Sequence, residues 1–134
     1  MKLFILDTSV MVDQLRTNRH RERIDALDGV LRTSAVVLAE LWRGVRGPGE
    51  HAFLESLERN YPVLTPTEKN WIESGQLLAK IRGNRHLAPE KLRDLHFDVL
   101  IALTARSFGA RLITSNRGDF EMIRDCRAFD LEIW

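Results

Sequence analysis

Four acidic residues stand in settings that point to chemistry. Asp7 directly follows the apolar run Leu3–Leu6 and precedes two hydroxyl residues, Thr8 and Ser9. Such a run is the pattern of a strand buried on both faces of a parallel sheet, and ligands gather at the carboxyl ends of such strands. Glu40 interrupts the apolar stretch Ala35–Trp42, where Val36, Val37, Leu41 and Gly44 share its side of a helix. Asp98 falls near the start of another apolar stretch, Phe97–Leu103, and reads as a first-turn residue. Asp119 follows the strand-like Leu112–Thr114 after the polar turn Ser115–Gly118. Each has a plain structural explanation. Asp7 and Asp119 suit helix caps, Glu40 can pair with Arg43 three residues on, and a first-turn Asp98 favours the helix dipole. Brought to one place without a basic partner, however, four carboxylates repel and raise one another's pKa values. A divalent cation removes that cost, and an all-oxygen shell selects Mg²⁺ or Mn²⁺ over zinc.

The elements that must position these acids alternate between short apolar runs and helical patterns. Strands are predicted at Leu3–Leu6, Val30–Thr33 and Arg111–Thr114, with a short strand or extended link at Tyr61–Leu64 and a last strand within Ala128–Trp134. Helices are predicted over Val10–Leu15, from Ala35 to about Val45 behind a Ser34 cap, over Glu50–Asn60, and from Thr67 to Arg82. Gly47-Pro48-Gly49 reads as a breaker, and the polar, basic stretch Gly83–Leu95 with Pro89 reads as a loop. A further helix starts at Asp94 or His96 and ends at Gly109, and a short one opens at Asp119. The sum is one three-layer α/β/α domain over residues 1–134, with a mostly parallel sheet of four or five strands.

Composition narrows the field. The 134 residues are 44% hydrophobic and 29% charged, as in an ordinary globular chain. One cysteine, Cys126, excludes an internal disulfide framework and a cysteine-rich zinc site. His20, His51, His86 and His96 show no ligand spacing and read as polar surface or loop residues. No apolar run is long enough for a membrane span or signal peptide, so a cytoplasmic protein is expected. A net charge of +1 says nothing about nucleic acid, so any such partner must be argued from local charge.

The ordered set Leu6-Asp7-Thr8-Ser9, Ala39-Glu40-Leu41, Phe97-Asp98-Val99-Leu100-Ile101-Ala102 and Thr114-Ser115-Asn116-Arg117-Gly118-Asp119-Phe120 resembles the PIN-domain family. More narrowly, the chain is similar to the small VapC toxins of prokaryotic toxin–antitoxin systems. That resemblance implies a Mg²⁺- or Mn²⁺-dependent endoribonuclease restrained by a cognate antitoxin. It implies that Asp7, Glu40, Asp98 and Asp119 form a catalytic metal site, with Thr8, Thr114 and Asn116 as supporting polar residues. Some relatives carry another acid at the place of Asn116, which leaves the number of ions open. It also implies a homodimer, for which Val10, Val12, Leu15, Phe53, Leu54 and Leu57 supply apolar helical surface. The expected antitoxin lays an apolar helix near Glu40 and an arginine near Asp7 or Asp98.

An RNA substrate needs cations outside the acidic group. The candidates are Arg16, Arg19, Arg21 and Arg23, then Arg43 and Arg46, then Lys80–His86 with Arg82 and Arg85. A haloacid-dehalogenase-type phosphatase needs a second aspartate two residues after the first, where Ser9 stands. A receiver domain needs an acidic pair near the start and an aspartate ending its third strand, and neither is present. The remaining alternatives are a PIN nuclease of RNA processing without an antitoxin and a non-catalytic binding module.

Overall fold

The computed structural model describes every residue from Met1 to Trp134. Its elements run β1 (Leu3–Leu6), α1 (Thr8–Thr17), α2 (Arg21–Asp25), β2 (Val30–Ser34), α3 (Ala35–Arg43) and α4 (Gly47–Asn60). They continue through β3 (Val63–Leu64), α5 (Glu68–Arg85), α6 (Pro89–Ser107), β4 (Ala110–Thr114), α7 (Arg117–Cys126) and β5 (Leu131–Ile133). The five strands form one sheet in the order β3-β2-β1-β4-β5. Every pairing is parallel.

Parallel strands need crossovers, and right-handed crossovers decide which face each helix covers. From β1 the chain steps to β2 and β3 in one direction, then returns to β4 and β5 on the other side of β1. The helices accordingly form two packed sets, with α1 against α3 and α3 against α4 in one, and α5, α6 and α7 in the other. The core between them is mostly aliphatic, with Ile5, Val10, Val99, Leu100, Ile101, Leu112 and Ile113 fully buried beside the aromatic Phe120. Gly29 is required where β2 begins. A Cβ there would stand 2.3 Å from the Lys2 carbonyl oxygen, the acceptor that the Val30 amide uses at 2.9 Å to start the ladder.

Several sequence boundaries move, and in two cases a breaker acts as a start. Gly47-Pro48-Gly49 does not separate two helices but opens α4, with the proline in its first turn, where its missing N–H costs nothing. Pro89 likewise opens α6, so Gly83–Leu95 is not a loop: α5 runs to Arg85 and α6 begins four residues later. Asp98 therefore stands in the third turn of α6, and the helix dipole cannot be its reason. Ser34 caps α3 as expected, its Oγ accepting from the Val36 and Val37 amides at 3.2 and 3.4 Å. Thr67 caps α5 through a capping box completed by Asn70. The N-cap of α7 is Asn116 rather than Asp119.

Candidate functional site

Strand order reverses between β1 and β4, and the carboxyl ends of those strands carry Asp7 and Thr114. This is the switch point at which open α/β sheets form a crevice. Asp7 is 3% exposed and stands at the N-cap of α1, yet its side chain caps nothing. Its Oδ2 instead accepts from Thr114 Oγ1 at 2.7 Å and from Ser9 Oγ at 2.9 Å. Ser9 Oγ in turn accepts from the Ser115 amide at 3.3 Å, so the two strand ends are joined through hydroxyls.

The remaining acids arrive on helices. Glu40 on α3 is half-buried, and its Oε1 accepts from Thr8 Oγ1 at 2.8 Å. Burial is the main cause of the rise in its pKa, helped by the charge of Asp7, while Thr8 and Arg43 oppose it. Asp98 on α6 accepts none of the hydrogen bonds that hold its neighbours. Its pKa is pushed up to about 8, first by burial and then by the charges of Asp7, Glu40 and Asp119, with Lys91 opposing. The charges of Asp7, Glu40 and Asp119 thus all reach Asp98. Asp119, in the first turn of α7, bonds to Asn116 through Nδ2 to Oδ2 at 3.1 Å.

The structure thus brings together Asp7, Glu40, Asp98, Asp119, Thr8, Thr114 and Asn116. The group also has a basic partner beyond Arg43. Lys91 Nζ lies 2.9 Å from Asp119 Oδ1 and 3.0 Å from Oδ2. Lys91 precedes Asp98 by seven positions, two turns on the same side of α6. Reading Gly83–Leu95 as a loop hides that spacing. Ser9 and Ser115 are the other contributors that the acid pattern did not single out.

The donors are carboxylates and hydroxyls, a hard oxygen set that fits Mg²⁺ or Mn²⁺ by chemistry. They do not form a closed shell, since no three His, Cys, Asp or Glu side chains are grouped to hold an ion.

The basic candidates are dispersed. Arg43 lies beside the acids, 3.9 Å from Glu40 Oε2 and 5.6 Å over the Phe97 ring. Arg16 is held by Glu50 at 3.3 Å, Arg19 by Asp13 at 3.7 Å and Arg21 by Asp25 at 3.7 Å. Arg23 stacks 5.5 Å over Trp134, and Arg85 pairs with Asp125 at the far end of α7. Arg46 and Arg82 are exposed. His20 is not a surface residue: it is 2% exposed, with its ring 5.5 Å from that of Trp134. His96 is half-buried and bonds to Ser74 Oγ at 2.9 Å.

An apolar groove of about 270 Å³ is lined among others by Met11, Val37, Leu41, Phe53, Leu57 and Tyr61. Val37 and Leu41 belong to α3, the helix that carries Glu40. Of the residues read as spare surface for a dimer, Val10, Leu54 and Leu57 are buried in the core. No helix is long and apolar enough to cross a membrane.

Comparison with curated proteins found none that matches. Among solved structures, the chain superposes on VapBC2 of Rickettsia felis, bound to a DNA fragment of its promoter, with a TM-score of 0.78. The identity is 21% and 98% of each chain is covered, a likeness of fold alone. DNA-bound VapBC of Salmonella typhimurium gives a TM-score of 0.75 at 26% identity, covering 100% of this chain and 99% of that one. VapBC-5 of Mycobacterium tuberculosis, a member of the VapBC family of toxin–antitoxin systems, gives 0.60 at 26%, covering 99% and 98%. The family described as PIN domain matches residues 4–124. That span is nearly the whole chain, and the protein belongs to the PIN-domain family.

Proposed function

We propose that this protein is a Mg²⁺- or Mn²⁺-dependent endoribonuclease and the toxin of a type II toxin–antitoxin pair. One observation carries the nuclease reading: Asp98 is half-buried beside Asp7, Glu40 and Asp119, and burial first, then their charges, raises its pKa to about 8. A carboxyl so placed is unfavourable when ionised and gains from a cation, which is the signature of a site built for a ligand.

Asp7, Asp98, Glu40 and Asp119 are the residues that would hold the ion. When bound, the ion supplies an acidified water and neutralises charge on the scissile phosphate and leaving oxygen. The chain's own part is positioning. Thr114 and Ser9 fix one oxygen of Asp7 and leave the other clear of side-chain partners. Thr8 holds Glu40, whose raised pKa suits it to take a proton from the attacking water. Arg43 stands at the rim, where it can meet a backbone phosphate.

The toxin reading rests on the likeness to the VapBC complexes and on the apolar groove beside α3. An antitoxin helix seated there would pass close to Glu40 and could present an arginine to Asp7 or Asp98. A homodimer is part of the same reading. The test is cleavage of RNA by purified protein with Mn²⁺, with and without the small protein encoded beside its gene. Cleavage suppressed by that partner supports both halves of the proposal. Cleavage without any such inhibitor keeps the nuclease and removes the toxin, while no cleavage under any divalent ion removes the nuclease. Light scattering at micromolar concentration should show twice the mass of one chain.

A further inference from the structure

Asp119 is the one acid of the group held face-on by a cation of the chain itself. Lys91 contacts both of its carboxylate oxygens, at 2.9 and 3.0 Å. Asn116 holds the same carboxylate from another side, donating to Oδ2 at 3.1 Å, and its Oδ1 accepts from the Asp119 amide at 3.4 Å. Asp119 is therefore fixed in place by the cap of α7 whether or not Lys91 is present.

Lys91 is differently placed. Its side chain is 42% exposed, against 23% for Asp119, and it reaches the acid from α6 on a long flexible stem. An ammonium with water beside it can exchange one set of contacts for hydration at small cost. Its charge also bears on Asp98, two turns further along the same helix. A divalent ion on Asp119 would need the lone pairs that Lys91 uses, and it would repel the ammonium at that distance.

We propose that Lys91 is an exchangeable counter-cation: it neutralises Asp119 in the metal-free protein and must leave before Asp119 can ligate a divalent ion. The proposal rests on reading these acids as a metal site. It differs from a purely structural role, in which Lys91 merely ties α6 to α7 and metal affinity is indifferent to it.

Titration calorimetry with Mn²⁺, on the full chain without RNA, separates the two. Lys91→Met is expected to bind Mn²⁺ about three- to tenfold more tightly than wild type, because the displaced pair is a partly exposed one. Lys91→Arg, which keeps a cation on Asp119, should bind no more tightly than wild type. In thermal denaturation, Lys91→Met should melt lower than wild type without metal and gain more from Mn²⁺. Should Lys91→Met fail to fold, Lys91→Gln removes the charge with better hydration and carries the same expectation. Equal or weaker Mn²⁺ binding by the folded neutral variant overturns the proposal, and leaves the metal-site reading intact if wild type binds. If neither wild type nor the neutral variant binds Mn²⁺, both readings fall together.

Discussion

Asp7 and Asp119 occupy the same local setting, just past the carboxyl end of a parallel strand and at the start of a helix, yet their surroundings are opposite in kind. Asp7 is 3% exposed and is held by the hydroxyls of Thr114 and Ser9. Hydroxyls orient a carboxylate without cancelling its charge. Asp119 is more open and is held by the ammonium of Lys91, which does cancel it. One side of the site is thus built around a preserved charge, and the other is balanced until something displaces the balance. Asp98 feels both: burial first, and then the charges of Asp7, Glu40 and Asp119, push its pKa up, while Lys91 opposes them.

The largest effect should come from the unbalanced side. Asp98→Asn or Asp7→Asn should lower Mn²⁺-dependent RNA cleavage by more than about 100-fold, above the roughly 10- to 100-fold typical of losing a residue that only supports a metal ligand. Without metal, the melting temperature of Asp98→Asn at neutral pH should equal or exceed that of wild type, because the cost of keeping a carboxyl protonated above its ordinary pKa is removed. Undiminished cleavage by purified Asp98→Asn protein would sink the assignment. Thr114→Val separates orientation from charge. It leaves Asp7 buried with a lost donor and should cost about 1–3 kcal/mol in chemical denaturation.

Why was so much of this legible in the sequence, and the rest not? The run before Asp7 and the apolar neighbours of Glu40 and Asp98 are constraints that a buried sheet and its helices place on residue type. They survive in one dimension. Lys91 did not, because a lysine among charged residues near a proline has the composition of a loop. Only the start of α6 at Pro89 puts it in helical register with Asp98. His20 was missed for a similar reason: flanked by arginines it reads as surface, while its burial depends on Trp134, distant in sequence. The α4 boundary failed because Gly-Pro is ambiguous between ending one helix and starting the next.

Glu40 sharpens the comparison, since it is both hydroxyl-held through Thr8 and close to a cation, Arg43. Its pair with Arg43 is long at 3.9 Å, with the arginine side chain 72% exposed. Glu40→Gln should therefore cost activity while changing stability by less than about 0.5 kcal/mol. Unchanged cleavage would return Glu40 to the role of a surface pair.

The pH dependence of the metal-free protein tests the balance directly. Asp98 has an ordinary value of 3.8 and a folded value of about 8. The folded state then binds more protons than the unfolded state between those limits. The stability from this group is full below about pH 4, is lost as pH rises through about 8, and stays level above. Denaturant melts in chelator should show wild type losing stability across that window relative to Asp98→Asn. Parallel curves would mean that the four charges do not act on Asp98 as described.

The smallest effect expected is at the rim. Arg43 is the only one of the basic candidates paired with an acid of the site, and its ion pair and Phe97 contact are both exposed enough to be weak. Arg43→Ala should shift stability by less than about 0.5 kcal/mol. If its guanidinium meets a backbone phosphate of the RNA, the loss should instead appear in salt dependence. The slope of log affinity against log salt should fall by roughly 0.7 for one contact to a single strand. Arg21→Gln is the control, because Arg21 pairs with Asp25 on α2, away from the acids. It should leave that slope unchanged. A drop with Arg21→Gln and none with Arg43→Ala would move the path of the RNA from α3 to α2, and with it the rim of the site.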